Sequence, residues 1–309
     1  MGLPQPSTWI FAALVFVALP VRAAETAATQ KIGHGQEITA KIVGPSAAGY
    51  KTLKKYAGAA IKDGKTYPFV QEVEASATYD GFTVEGPHVL IEAAEFLSSL
   101  DIYTAKTVVL RGVSVRPKTH SHIALLVRPG AGQVYVLWSD IGADGANAVG
   151  AGIALRGAPA LVYRSHVSNA ADGISISASG VRIEESLIET RMASPGDHND
   201  AIQVLGAPGH ITIARNKILN SNPQTSCLYL LGRHIDVRSN YLSGGGWTIY
   251  GGAQNNGHGK GSVRDVSVTD TVFGREYSAK SGSFGPVSYW DKTNNWRDNR
   301  FSDGKPVSP

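Results

Sequence analysis

GIALRGAPALVYRSHV, residues 152–167, and AIQVLGAPGHITIARNKI, residues 201–218, write nearly the same phrase twice. In each, a short apolar alternation runs through a Gly-Ala-Pro turn into a second alternation that breaks at a Ser or an Asn. The second half is an eight-residue unit, apolar at positions one, three and eight, with Ser, Asn or Thr usually at six. Its copies are VVLRGVSV from Val108, VYVLWSDI from Val134, ALVYRSHV from Ala160, VRIEESLI from Val181, ITIARNKI from Ile211, IDVRSNYL from Ile235 and VSVTDTVF from Val266. Successive starts lie between 21 residues (Ala160 to Val181) and 31 residues (Ile235 to Val266) apart. Alternation at one and three marks a strand with one buried face. Recurrence at such intervals marks a solenoid, whose units bury their apolar faces only by stacking.

A second short strand follows each copy: HIALL (122–126), GIALR (152–156), GISIS (173–177), AIQVL (201–205), CLYLL (227–231), TIYGG (248–252) and PVSYW (286–290). Stacking would place Ser139, Ser165, Ser186, Asn216, Asn240 and Thr271 above one another at a tight corner, where their side chains can satisfy backbone groups that the turn leaves unpaired. Val113, at six in the first copy, departs from that column. With this repeat and polar ladder, the chain over about residues 80–300 resembles the right-handed parallel β-helix proteins of the pectate-lyase-like family. The fold class expected is therefore all-β, a right-handed parallel β-helix with a short N-terminal cap. In that family the polar corner separates the second and third sheets, and the substrate groove follows the first. By the resemblance, the set containing AIQVL forms the first sheet.

Composition agrees. The 309 residues hold 35 glycines, only 17% are charged, and the formal net charge is +4. Helices disfavour that much glycine. Charge so mild fits an acidic substrate and gives no footprint for nucleic acid. Residues 1–23 read as a secretory signal: an apolar stretch from Trp9 to Leu19, then Pro20 and the small residues of VRAAE, with cleavage after Ala23 or Ala24. The stretch is shorter than a membrane span needs. A secreted or periplasmic monomer with no remaining span is expected, and Cys227, alone, forms no internal disulfide. Residues 24–80 are read as tether and cap, with a helix over Tyr50–Ile61 from its near-helical apolar spacing, and residues 81–309 as the β-helix.

Polar chemistry concentrates in SPGDHNDAIQV, residues 194–204, where Asp197, His198, Asn199 and Asp200 stand before a buried strand. His198 breaks the repeat, since Ala170, Gln224 and Gly245 hold the same register. Asp200 repeats Asp172, so capping of backbone amides competes with a chemical role. Alternation turns Gln203 outward with Ser175, Tyr229, Tyr250 and Ser288 in one column. The catalytic set expected is His198, Asp200, Tyr229 and Arg191; the substrate-binding set is Asn199, Gln203, Arg156, Tyr250 and Arg233, with Arg128 a further cation. Arginine suits bidentate binding of carboxylates. The glycine-rich loop 251–265, with His258 and Lys260, could close over a groove or form a hairpin. Asp140, His166, Lys217 and Tyr241, at position seven, read as surface residues of the third sheet. Trp247, Trp290 and Trp296 are expected to seal the C-terminal end.

No metal-type spacing of His and Cys occurs; a Ca2+ ion would have Asp172, Asp197 and Asp200 as donors. The expected partner is an acidic polysaccharide. The leading functional expectation is a polysaccharide lyase cleaving a uronate-containing glycan by β-elimination. A glycoside hydrolase, a uronate C5-epimerase, whose DPHD motif DHND loosely resembles, and a non-catalytic glycan-binding protein are the alternatives.

Overall fold

The computed structural model of the chain describes residues 43–118, 123–144, 148–191, 198–251, 264–291 and 293–309. Its strands pair in parallel, coil upon coil, around one apolar core that extends from Ile61 to Val307. This is a parallel β-helix. Each eight-residue copy supplies a second-sheet strand, such as Val134–Leu137 or Ala160–Tyr163, and, past the corner, a third-sheet strand such as Asp140–Gly142 or Leu187–Thr190. The following short strands, among them Ile202–Val204, Leu228–Leu230, Trp247–Tyr250 and Gly285–Ser288, form the first sheet. In one coil the third-sheet and first-sheet strands fuse into His166–Ile176, which joins both sets of pairings into an eighteen-stranded sheet.

The corner between second and third sheets has one conformation throughout. Position five is left-handed whatever residue fills it: φ is 50° at Trp138, 46° at Arg164, 50° at Glu185, 57° at Arg215 and 53° at Ser239. Such a φ costs a non-glycine residue about 1 kcal/mol. The polar ladder offsets it. Ser139 Oγ accepts the Val113 N–H (3.2 Å), Ser165 Oγ that of Ser139 (3.1 Å), and Ser186 Oγ that of Ser165 (3.1 Å). Asn216 Oδ1 then accepts the Ser186 N–H and Asn240 Oδ1 that of Asn216, both at 2.9 Å. The two asparagines also donate inward, to the carbonyls of Ile183 and Ile213 at 2.8 Å.

The solenoid extends one coil beyond the recognised copies at each end. Residues 89–96 repeat the unit with Ala94 at position six, and residues 294–301 repeat it with Asn294 at position one and Asn299 at six. Asn299 Oδ1 accepts the Thr271 N–H at 3.0 Å, which continues the ladder. Tyr50–Ile61 is not a helix. It holds the strands Lys54–Tyr56 and Ala59–Ile61, which pair with Ala94–Phe96 and Leu100–Ile102, so the solenoid begins inside the segment read as cap. The one described helix is Gly44–Ala47.

Between these first strands and the solenoid proper, Val70–Val73 pairs antiparallel with His88–Glu92, and Ala77–Tyr79 and Phe82–Val84 form a hairpin. The outward column of the second sheet explains where the hairpin lies. In register the column reads Leu90, Val109, Tyr135, Leu161, then Arg182, Thr212, Asp236 and Ser267. Its apolar half is buried beneath Tyr79, Phe82 and Val84, and the column turns polar where that cover ends. Phe82 meets Tyr163 edge-on at 4.8 Å, and the Arg182 guanidinium caps the Phe82 ring at 5.9 Å. At the C-terminal end Trp296 packs on Phe273 and Trp290, and its indole N–H donates to the Val307 carbonyl at 2.7 Å. Trp247 is not part of that seal; it packs on Phe284.

Candidate functional site

First-sheet register sets Ser175 beside Gln203, Gln203 beside Tyr229, Tyr229 beside Tyr250 and Tyr250 beside Ser288. Their strand neighbours Ile202, Val204, Leu228, Leu230 and Ile249 are fully buried, so the alternation works as expected for Gln203, Tyr229, Tyr250 and Ser288, whereas Ser175, expected outward, is buried. The Tyr229 and Tyr250 rings lie 6.0 Å apart, and Tyr250 stacks on Tyr289 at 5.8 Å with planes 29° apart. Tyr289 was not among the expected residues. It follows its strand in a left-handed conformation, outside the alternation that identified the others. Partial burial raises the pKa of the Tyr229 and Tyr250 phenols, so both stay protonated at neutral pH.

At the mouth of the strand a second side-chain ladder runs from coil to coil. Asp172 Oδ1 accepts the Asp200 N–H at 3.0 Å, and Asp200 Oδ1 accepts both the N–H (3.0 Å) and the hydroxyl (2.5 Å) of Ser226. Capping, one of the two readings of these aspartates, is thus realised. Asp200 keeps its other oxygen for the face: Gln203 Nε2 donates to Oδ2 at 3.1 Å. Burial raises the Asp200 pKa against the pull of Ser226, Gln203 and the nearby His198. His198 itself is exposed. Asp200 therefore holds Gln203 in place and lies within electrostatic reach of the exposed His198.

Asn199 does not bind substrate from where it sits. Its side chain is fully buried, donating to the carbonyls of Ala171 (3.1 Å) and Arg191 (2.9 Å) and accepting from Asn222. The alternation that turns Gln203 outward does not reach into the preceding loop, so this orientation was invisible in the sequence. The same bond from Asn199 brings the Arg191 backbone against the loop that carries His198. Arg156 is exposed two coils earlier, and Arg233 begins a second-sheet strand. The structure thus gathers His198, Asp200, Gln203, Tyr229 and Tyr250, with Arg191 at the margin, and leaves Arg156 and Arg233 apart. Asp197, His258 and Lys260 lie outside the described residues.

A Ca2+ cage needs several converging oxygens. Asp172 and Asp200 each give an oxygen to a backbone N–H instead, and no three His, Cys, Asp or Glu among the described residues converge as metal ligands. The described carboxylates do not fit that ion.

The third sheet overturns one expectation. Asp140 and His166 are not ordinary surface residues but the centre of a partly buried ionic ladder. His166 Nδ1 lies 3.2 Å from Asp140 and its Nε2 2.9 Å from Glu189, while Arg116 pairs with the same Asp140 oxygen. Burial works against the imidazolium, but the two carboxylates more than compensate and lift its pKa to about 9. The next members in register are Leu187, Lys217, whose ammonium faces the Tyr241 ring at 5.6 Å, and Tyr241, whose hydroxyl donates to Glu276 at 2.5 Å. A His held between two carboxylates is a cation at neutral pH rather than a base. Compared with protein-family models, with curated proteins and with solved structures, the chain has no match.

Proposed function

We propose that this chain is an extracytoplasmic polysaccharide lyase, similar in plan to the pectate-lyase-like proteins, that cleaves a uronate-containing glycan on its first-sheet face. One observation carries the reading: a column of Gln203, Tyr229 and Tyr250, one side chain per coil at about 4.8 Å spacing, begins at the Gln203 bonded to Asp200, and Asp200 feels the charge of the exposed His198. Aromatic faces with hydroxyls at that interval suit successive sugar rings. In β-elimination, His198 takes the proton from the carbon bearing the carboxylate. The freed electron pair forms a carbon–carbon double bond as the glycosidic C–O bond breaks. Tyr229, kept protonated, donates its phenolic proton to the leaving oxygen. Arg191 supplies the cation that neutralises the carboxylate whose α-proton leaves, and Asp200 positions Gln203.

Hydrolysis is less well served. It needs two accessible carboxylates about 5 to 9.5 Å apart, whereas Asp200 is buried and both aspartates cap backbone amides. The test is to incubate the protein with pectic, alginate and glucuronate polymers while following unsaturated-uronate absorbance and reducing ends together. Absorbance rising with reducing ends supports the lyase; reducing ends without absorbance support a hydrolase; retention without either supports a binding protein.

A further inference from the structure

Immediately after the first-sheet strands of the N-terminal coils comes a column of another kind. Ile61, Ile102, Val127 and Leu155 are partners in register, so the residues that follow them, Lys62, Tyr103, Arg128 and Arg156, lie one per coil along the edge of the face. Tyr103 is 43% exposed, a large value for a tyrosine that sits between two cations. The Lys62 ammonium is 5.3 Å and the Arg128 guanidinium 4.7 Å from its ring centroid. Arg128 is steadied by Asp101 at 2.8 Å, and Arg156 is exposed in the next coil. Beside Lys62 a concavity of about 180 Å3 brings in Lys65 and Lys106, the latter paired with Glu72. Farther along, the same column becomes Ser177 and Leu205, and the positive charge stops.

We infer that this edge is a distal binding strip for the polyanionic part of the glycan, its carboxylates met by Lys62, Arg128 and Arg156 and a sugar ring by Tyr103, so that the face has an electrostatic N-terminal half and an aromatic C-terminal half. The inference rests on the acidic-glycan reading above and deepens it by specifying a long polymer. Three features support it. Cations stand in three of four successive coils, with Tyr103 in the fourth, on a rung spacing of about 4.8 Å, close to the length of one sugar in an extended chain. Acids in the neighbourhood, Asp63, Asp101, Glu72 and Glu74, are fewer than the five cations Lys62, Lys65, Lys106, Arg128 and Arg156, and Asp63 is engaged by Thr104 and the Ala105 N–H. An exposed tyrosine held flat by cations offers a stacking surface without loss of side-chain freedom on binding.

The test is retardation of the folded protein in native gels cast with polygalacturonate or with neutral hydroxyethylcellulose, at about 20 and about 300 mM salt. Wild type is expected to be retarded by polygalacturonate at low salt only. The variant K62Q/R156Q, which touches two exposed side chains, is expected to bind about tenfold more weakly at low salt, and Y103A likewise, with unchanged circular dichroism. Retardation of K62Q/R156Q equal to wild type would overturn the strip, as would stronger retention of wild type by single-stranded DNA. Because this readout requires no turnover, loss of retardation in the variants without lyase products would leave the strip standing and remove the chemistry. Lyase products with undiminished retardation would do the reverse.

Discussion

His166 Nε2 lies 2.9 Å from the carboxylate of Glu189, and the opposite ring nitrogen faces Asp140. The pairing gives the fold a pH signature. The folded pKa of about 9 exceeds the usual unfolded histidine value of about 6.5. Stability from this group is therefore fully present below about pH 6.5 and is lost as pH rises through about 9. Urea midpoints should fall across that window in wild type, and the fall should flatten in His166→Gln. A midpoint that is level from pH 6.5 to 9.5 in wild type contradicts the ladder. Asp140 and Glu189 act oppositely: burial resists the ionised Asp140 but His166 and Arg116 outweigh it, and the His166 contact lowers the Glu189 pKa. Their contribution is present above the ordinary carboxylate range and lost in strong acid.

The polar corner makes a second, sharper prediction. Asn240→Ala strands the buried N–H of Asn216 and the carbonyl of Ile213, so unfolding free energy should drop by about 2 to 4 kcal/mol. Equilibrium denaturation measures it; a change below about 0.5 kcal/mol would mean that the ladder carries little of the solenoid's stability.

The hairpin over the second sheet is held through Phe82 against Tyr163. Phe82→Ala should cost about 1 to 3 kcal/mol and expose Leu161 and Tyr135, seen as faster amide exchange in residues 77–84 before any change in the coils. Exchange that rises equally throughout would argue that hairpin and solenoid unfold as one.

Roles within the tyrosine column separate by substitution. Tyr229→Phe keeps the ring and removes the proton donor, so kcat should fall about 100-fold or more with KM little changed. Tyr250→Ala should chiefly raise KM. Reversal of these two patterns would move the acid to Tyr250.

How much of this was legible follows from where the signals lie. Position six of the repeat is local and periodic, so the corner from Ser139 to Thr271 could be read directly. The coils at 89–96 and 294–301 were hidden because Ala94 and Asn294 break the template at one position each, although the backbone repeats. Leu53, Tyr56, Ala57 and Ala60 imitate a helical stripe, and only pairing with Ala94–Phe96 and Leu100–Ile102, forty residues away in the chain (Lys54 to Ala94), decides for strands. Gly58 agrees with that pairing, since a Cβ there would lie 2.9 Å from the Ser99 carbonyl. The His166 ladder escaped notice because Asp140, His166 and Glu189 belong to three successive coils. Their attraction exists only in register, and the outward polarity of position seven looks the same as an ordinary wet face.

His198 is the proposed base. The most direct measurement compares wild type with His198→Ala for formation of unsaturated uronates from a uronate polymer, with thermal unfolding recorded alongside. The prediction is a rate loss of about 100-fold to 10,000-fold with an unchanged unfolding temperature, because the exposed imidazole contributes little packing. Wild-type turnover by the alanine variant, or no unsaturated product from the native chain on any uronate polymer, would contradict it.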